Sequence, residues 1–379
     1  MNVTGLFAGV GGLERGLATA GHHTVALSEI WQPACAVLAA RFDAPNLGDV
    51  TQLTDLPGET ELLAGGFPCQ DLSQAGRTAG IGGAKSGLVE SVFALLDRKS
   101  VPWVLLENVP FMLRLDGGAA MARLVQGFED RGYRWAYRVI NSLSFVPQRR
   151  ERVFFLASRE ADPAQVLFAD DVQPPRPETK LTTHAHGFYW TEGLRGLGWA
   201  PDAVPPFKNG STVGIPSPPA IMMPNGDVIT PDIRDAERLQ GMPQGWTEPA
   251  ETVGRASWRW SLVGNAVTAP VAEWIGGRLQ TPGEVVCPLR ELGNKWPAAA
   301  CFDGTRRWQA DVGQFPVWKP RPALHEFLVY PGKPLSARAT SGFLSRTSRS
   351  CLRFPGGFLE SLVLHLQRWD APGAMRQAA

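Results

Sequence analysis

Phe7-Ala8-Gly9-Val10-Gly11-Gly12 decides the fold through what stands on either side of it. Asn2 to Phe7 reads as a short strand, and a helical run extends from Leu13 to Ala20. A glycine turn between a strand and a helix N-terminus lets a cofactor approach the backbone. The second strand, Thr24-Val25-Ala26-Leu27, ends at Ser28-Glu29, and Glu29 stands 20 residues after Gly9. An acidic side chain at the tip of that strand can take both hydroxyls of a ribose. A helix from Pro33 to Phe42 follows, and Leu47-Gly48-Asp49-Val50 reads as a third strand ending at Asp49. Glycines, Glu29 and Asp49 at three successive strand ends form one side of a nucleoside pocket. The dinucleotide fingerprint wants a third glycine at position 14, where this chain has Glu. NAD and S-adenosylmethionine therefore both stay open on these residues alone.

Moving outward, Glu61-Leu62-Leu63-Ala64 is apolar enough to be a buried strand, and it runs into Gly65-Gly66-Phe67-Pro68-Cys69-Gln70. That places Cys69 on a loop at the C-terminal edge of the sheet, where open α/β sheets bind ligands. A buried, inert thiol is the commoner fate of a free cysteine, and this stretch alone does not decide between the two. A long polar loop follows through Ser73 to Lys85, then a helix at about Leu88 to Arg98. Val101 to Leu106 reads as a buried strand ending at Glu107-Asn108-Val109-Pro110. A helix from Ala119 to Asp130 and strands near 133–141 and 153–158 continue the alternation. Between those strands lies a cationic tip, Gln148-Arg149-Arg150-Glu151-Arg152. From about 159 to 233 the chain is rich in Pro, Gly and Thr with little periodicity. Ile233 to Leu239, capped by Asp232, and Ala269 to Leu279 read as helices.

With 379 residues, the chain is long enough for two or three domains, and 44% hydrophobic content supports a core. No run of about 18 apolar residues occurs, so no transmembrane helix is expected, and no export signal opens the chain. The five cysteines are scattered without a CxxC pair. That argues against zinc and against a disulfide framework, and fits a reducing cytoplasm. Residues 1–280 hold 24 Lys and Arg against 29 Asp and Glu, whereas residues 281–379 hold 13 against 7. The positive charge thus gathers in the tail, which also carries Trp296, Trp308 and Trp318 and the acid-free segment Arg338 to Arg353.

Taken in order, these segments resemble the C5-cytosine DNA methyltransferases over roughly residues 3–158 and 230–280. Phe7 to Gly12 looks like that family's opening cofactor loop, Phe67-Pro68-Cys69-Gln70 its catalytic loop and Glu107-Asn108-Val109 its carboxylate motif. Gln148-x-Arg150-x-Arg152 looks like its arginine motif, Arg238-Leu239-Gln240-Gly241 the segment before the last motif, and Gly264-Asn265-Ala266-Val267 that last motif. The resemblance implies an α/β fold with a doubly wound, mostly parallel sheet. This is the Rossmann-like class I S-adenosylmethionine-dependent methyltransferase fold, here with a small irregular recognition domain and a C-terminal extension. It implies a catalytic domain at 1–160 plus 260–280 and a target-recognition region at 161–259. Residues 281–379 would form a basic extension beside the DNA.

The same resemblance implies a chemistry. Cytosine C5 is too weak a nucleophile to take a methyl group, and adding a thiolate at C6 makes C5 enamine-like. Cys69 would supply the thiolate, Glu107 would hold N3 and the exocyclic amine, and Arg152, aided by Arg150, would steady the base at O2. S-adenosylmethionine would give the methyl and leave as S-adenosylhomocysteine, with no metal. Its pocket would comprise Phe7, Gly9, Val10, Gly11, Gly12, Glu29, Ile30, Asp49, Val50, Pro68, Leu88 and Asn265. The base would be flipped from double-stranded DNA, with Ser73, Arg346, Arg349 and Arg353 on phosphates. A cognate restriction endonuclease or other defence-system proteins would be partners. A tRNA cytosine-5 methyltransferase is the nearest rival, but no cysteine here is followed by Phe-Thr. An NAD-dependent oxidoreductase would leave Cys69, Glu107 and the arginines without a task.

Overall fold

The computed structural model describes residues 1–67, 88–175, 179–208 and 217–370. The chain divides into two compact units. The first holds residues 1–144, 151–174 and 267–318, and the second 145–150, 175–266 and 319–379.

The first unit is built on a nine-stranded sheet. Its parallel half contains β1 (Asn2–Leu6), β2 (His23–Ser28), β3 (Leu62–Gly66) and β4 (Trp103–Asn108), in the order β4-β3-β1-β2. Strand order reverses at β1, the switch point where α/β sheets bind ligands. Every residue of β4 is buried, as are Leu62 to Gly65 of β3, the signature of strands covered on both faces. On one face Leu63, Val104 and Leu106 join a core with Val92 and Phe93 of α3 (Leu88–Arg98) and Leu124 and Phe128 of α4 (Ala119–Glu129).

The sheet continues antiparallel through β6 (Glu151–Ser158) and β5 (Arg134–Asn141). Two differences from the sequence reading appear here. Residues 44–49 form no strand: Asn46 makes a single bridge to Leu27, and Asp49 caps a 3-10 turn at Val50–Gln52. The tail from 281 also does not stand apart. β11 (Leu289–Glu291), β12 (Ala299–Phe302) and β13 (Arg307–Ala310) extend the sheet from β5. Trp296 packs edge-on to Trp135 and donates its indole N–H to the Gly118 carbonyl at 2.9 Å, so it belongs to this core rather than to an exposed surface.

The second unit carries a five-stranded antiparallel sheet in the order β14-β10-β9-β7-β8. Its strands are β7 (His186–Phe188), β8 (Ala200–Pro201), β9 (Ala220–Met222), β10 (Val228–Thr230) and β14 (Lys333–Pro334). Phe188 and Met222 share a core with Phe343 of one tail helix, Ala337–Thr347, and Phe358 and Leu362 of the other, Phe358–Asp370. The expected boundary at 281 is therefore replaced by a split near 318. Short strands from 186–230 cannot bury both faces by themselves, and the chain returns after 319 to complete their core.

Candidate active site

The glycine loop is held from three sides within the first unit. Gly11 caps helix α1 (Gly12–Thr19) in the left-handed region, at φ 78, and a side chain on it would strike the Phe42 ring. A Cβ on Gly12 would lie 2.4 Å from the Val267 carbonyl oxygen, so this turn and Val267 touch backbone to backbone. Gly9, at φ +56, faces open space, with nothing within 4 Å of a built Cβ. That cradle and its backbone fit a nucleoside cofactor.

Glu29 anchors the loop. Its Oε2 accepts the Gly9 N–H at 2.8 Å, and its Oε1 accepts those of Ile30 and Trp31 at 2.9 and 2.8 Å. The adjoining turn is organised by Asn46, which sequence reasoning missed. Its Oδ1 accepts from the amides of Glu29 and Gly48, and its amide donates to the Glu29 carbonyl. Asp49 uses Oδ1 to accept from the Thr51 amide and hydroxyl. Val50 is buried, whereas Ile30 is 64% exposed and presents a free apolar face. Phe7 takes φ 53, a strained setting at the mouth of the turn. Val10 is buried beneath the loop and Leu88 is half-buried at the start of α3.

Glu107 lies on β4 opposite Gly66 of β3 and Phe154 of β6. Its Oε1 is 2.9 Å from Nε of Arg152, with side chains 10% and 15% exposed. Gly66 leaves room for this carboxylate, since a Cβ there would be 3.3 Å from Oε2. The neighbouring Asn108 donates to the Phe67 carbonyl at 3.0 Å and accepts the Val109 amide at 2.8 Å. It thus ties the carboxylate strand to the last described residue before Pro68, a role its place beside Glu107 hinted at. Pro68, Cys69 and Ser73 lie outside the described residues.

The arginine motif separates. Arg152 sits on β6 beside Glu107, but Arg150 precedes that strand, belongs to the second unit and is 2% exposed. Arg150 donates through Nη2 to the carbonyls of Gly264 and Ala266, at 3.1 and 2.8 Å. It braces the last motif and does not stand exposed to a base, which corrects the expected contact. Gln148 in the same segment donates to the Leu239 carbonyl at 2.8 Å. Asn265 is exposed at the end of the helix Trp258–Asn265 in the second unit.

Arg346 is likewise committed internally. Its Nε donates to the Glu192 carbonyl and its Nη2 to that of Trp190, both at 2.7 Å, so it is a brace and not a free phosphate contact. Arg349 and Arg353 are exposed. Among the described residues no cluster of His, Cys, Asp and Glu could hold a metal ion, and no helix is long and apolar enough to cross a membrane.

Comparison with known proteins places this geometry. The family model for C-5 cytosine-specific DNA methylases matches residues 1–188. The chain is 45% identical to the Type II methyltransferase M2.BsuMI of Bacillus subtilis (strain 168), over 96% of this chain and 97% of that protein. Type II methyltransferase M.BanI of Aneurinibacillus aneurinilyticus is 34% identical over 43% of this chain and 39% of its own length. The crystal structure of S. pombe Dnmt2 methyltransferase shares the fold, with a TM-score of 0.55 at 16% identity, covering 74% of this chain and 98% of that one. Identity of this extent along nearly the whole chain shows that it belongs to the C-5 cytosine-specific DNA methylases.

Proposed function

We propose that the chain is a DNA (cytosine-5-)-methyltransferase that modifies one cytosine in a specific short duplex sequence, beside a cognate restriction endonuclease or other defence-system proteins. The observation that carries this reading is the Glu107–Arg152 pair on adjacent strands, next to Gly66 and two residues before the segment that bears Cys69. S-adenosylmethionine, when bound, supplies a methyl group on a sulfonium. Phe7, Gly9, Val10, Gly11, Gly12 and Glu29 would hold it, with Asp49, Val50, Ile30 and Leu88 beside them; Pro68 and Asn265 are assigned to it by the family resemblance alone.

The chain's own residues do the rest. The thiolate of Cys69 bonds to C6 of the flipped base, and the electron pair of the C5–C6 double bond moves to C5, which takes the methyl. Glu107 holds N3 and the exocyclic amine as the ring gains charge, an electrostatic contribution of roughly 3–4 kcal/mol at comparable sites. Arg152 orients Glu107 and reaches the base at O2. Loss of the C5 proton to a base then restores the double bond and expels Cys69. Ser73, Arg349 and Arg353 are the proposed phosphate contacts.

The dinucleotide alternative loses ground from Glu14, which fills the third-glycine position and whose carboxyl packs against Gly5. Bisulfite sequencing of plasmid DNA from cells expressing the chain or its Cys69→Ala variant tests the proposal. One short motif methylated only by the intact protein is expected. The absence of methylation from folded, expressed protein would overturn duplex DNA as substrate, and methylated RNA in the same cells would point to tRNA.

A further inference from the structure

Beneath the glycine loop lies a carboxyl group that this chemistry does not use. Glu14, in the first turn of α1, is 1% exposed. Apart from its own backbone amide, neither oxygen has a hydrogen-bond partner among the described residues. The carboxyl lies flat against β1, and a Cβ on Gly5 would be 2.1 Å from Oε1. Glu14 thus occupies the side-chain space that Gly5 leaves empty.

No cation faces it. On β1 the polar side chains are Asn2 and Thr4, both uncharged, and the Thr4 hydroxyl is bonded to that of Thr60 at 2.8 Å. β3 brings only Leu, Ala and Gly. The helix Ala269–Gln280 packs on α1 where Gly16 meets Ala269, and it carries Glu273, whose charge acts on Arg15, and Arg278, which pairs with Asp170. From the end of β2 comes Glu29, a like charge. Burial first, and Glu29 after it, push the Glu14 carboxyl up to about 8, so it is a neutral acid at pH 7. A buried acid without a partner responds strongly to any charge that arrives nearby.

We propose that Glu14 is a positioning residue that distinguishes the cationic cofactor from its neutral product. It releases its proton to solvent when the sulfonium of S-adenosylmethionine enters the loop, and takes one back when the thioether S-adenosylhomocysteine remains. The inference rests on the cofactor reading above. The ionised carboxylate favours the sulfonium over the thioether, which shifts relative affinity toward the methyl donor as pH rises. By linkage, affinity for the donor rises with pH until Glu14 is ionised in the free protein, and is flat beyond that.

Isothermal titration calorimetry on the full chain decides this, with S-adenosylmethionine and S-adenosylhomocysteine each titrated in phosphate and in Tris at pH 7. The sulfonium also lowers the pKa of the donor's own amino group, so the difference between ligands is compared between wild type and Glu14→Gln, which isolates the part owed to Glu14. The wild-type protein is expected to release about 0.5–1 proton more with the sulfonium ligand, and to bind it up to ~10-fold tighter per pH unit between 6.5 and 8. Glu14→Gln should lose most of that difference and most of that pH dependence. Equal counts in the wild type, or an undiminished difference in Glu14→Gln, would overturn the role of Glu14 while leaving the cofactor reading intact. Absence of binding by either ligand would overturn both. Should Glu14→Gln not fold, equal counts in the wild type still overturn the role.

Discussion

Arg346→Ala should destabilise the second unit while leaving the salt dependence of DNA binding unchanged. The guanidinium makes two hydrogen bonds of 2.7 Å to main-chain carbonyls, those of Glu192 and Trp190. A hydrogen bond from a charged donor contributes roughly 1.5–3 kcal/mol. Arg346 is only half-buried, and water can replace part of each bond, so the lower end applies and the loss is about 2–3 kcal/mol in total. For a unit of this size each kcal/mol moves Tm by roughly 2–4 °C, which gives a fall of about 4–12 °C. Arg349→Ala is the matched control. Its side chain is exposed and donates to the Ser345 carbonyl one turn back, so its removal should change stability by less than ~0.5 kcal/mol. If Arg349 contacts a phosphate, however, the slope of log K against log salt should flatten by about 0.9. Thermal unfolding paired with fluorescence anisotropy on duplex DNA at several salt concentrations reads both quantities. An Arg346→Ala protein with unchanged Tm and a slope reduced by about one would refute the reasoning, and would mean that Arg346 leaves its carbonyls for DNA.

Two further outcomes follow from the first unit. Gly9→Ala should fold, at a cost of about 1–2 kcal/mol for the left-handed backbone, because nothing crowds the added methyl. It should nonetheless weaken S-adenosylhomocysteine binding by ~10-fold or more, as measured by calorimetry; unchanged affinity would remove Gly9 from the pocket. Glu107→Gln should lower the methylation rate by about 10²–10³, as loss of one transition-state contact does, with duplex affinity moving far less. An equal loss in both would make Glu107 a binding residue only.

Much of the first unit was legible because its information is local. Buried runs such as Val104-Leu105-Leu106, the helical span Leu88–Arg98 and the Asp232 cap each declare themselves within a dozen residues. The motif order from Phe7 to Val267 also stands in the sequence, and with it the family and the chemistry. The ion pair of Glu107 with Arg152 was not among the sequence expectations, which set both residues on the base; it appears only once β4 and β6 lie side by side.

What the sequence could not decide was which distant backbone each polar group would meet. Arg150 and Arg152 are two residues apart, yet one braces the carbonyls of Gly264 and Ala266 and the other meets Glu107, because β6 begins only at Glu151. The basic tail looked like an appendage by charge, but 289–310 adds strands to one sheet and 333–362 closes the core of the other. Arg346 reads as a phosphate ligand until Trp190 and Glu192 arrive beside it, more than 150 residues earlier in the chain. Glu14 looked like a flaw in a glycine fingerprint until Gly5 showed where its carboxyl goes. Period and turn chemistry are properties of neighbours along the chain and can be read there. The partner of a buried charge is a property of neighbours in space, and it exists only once the chain has folded back on itself.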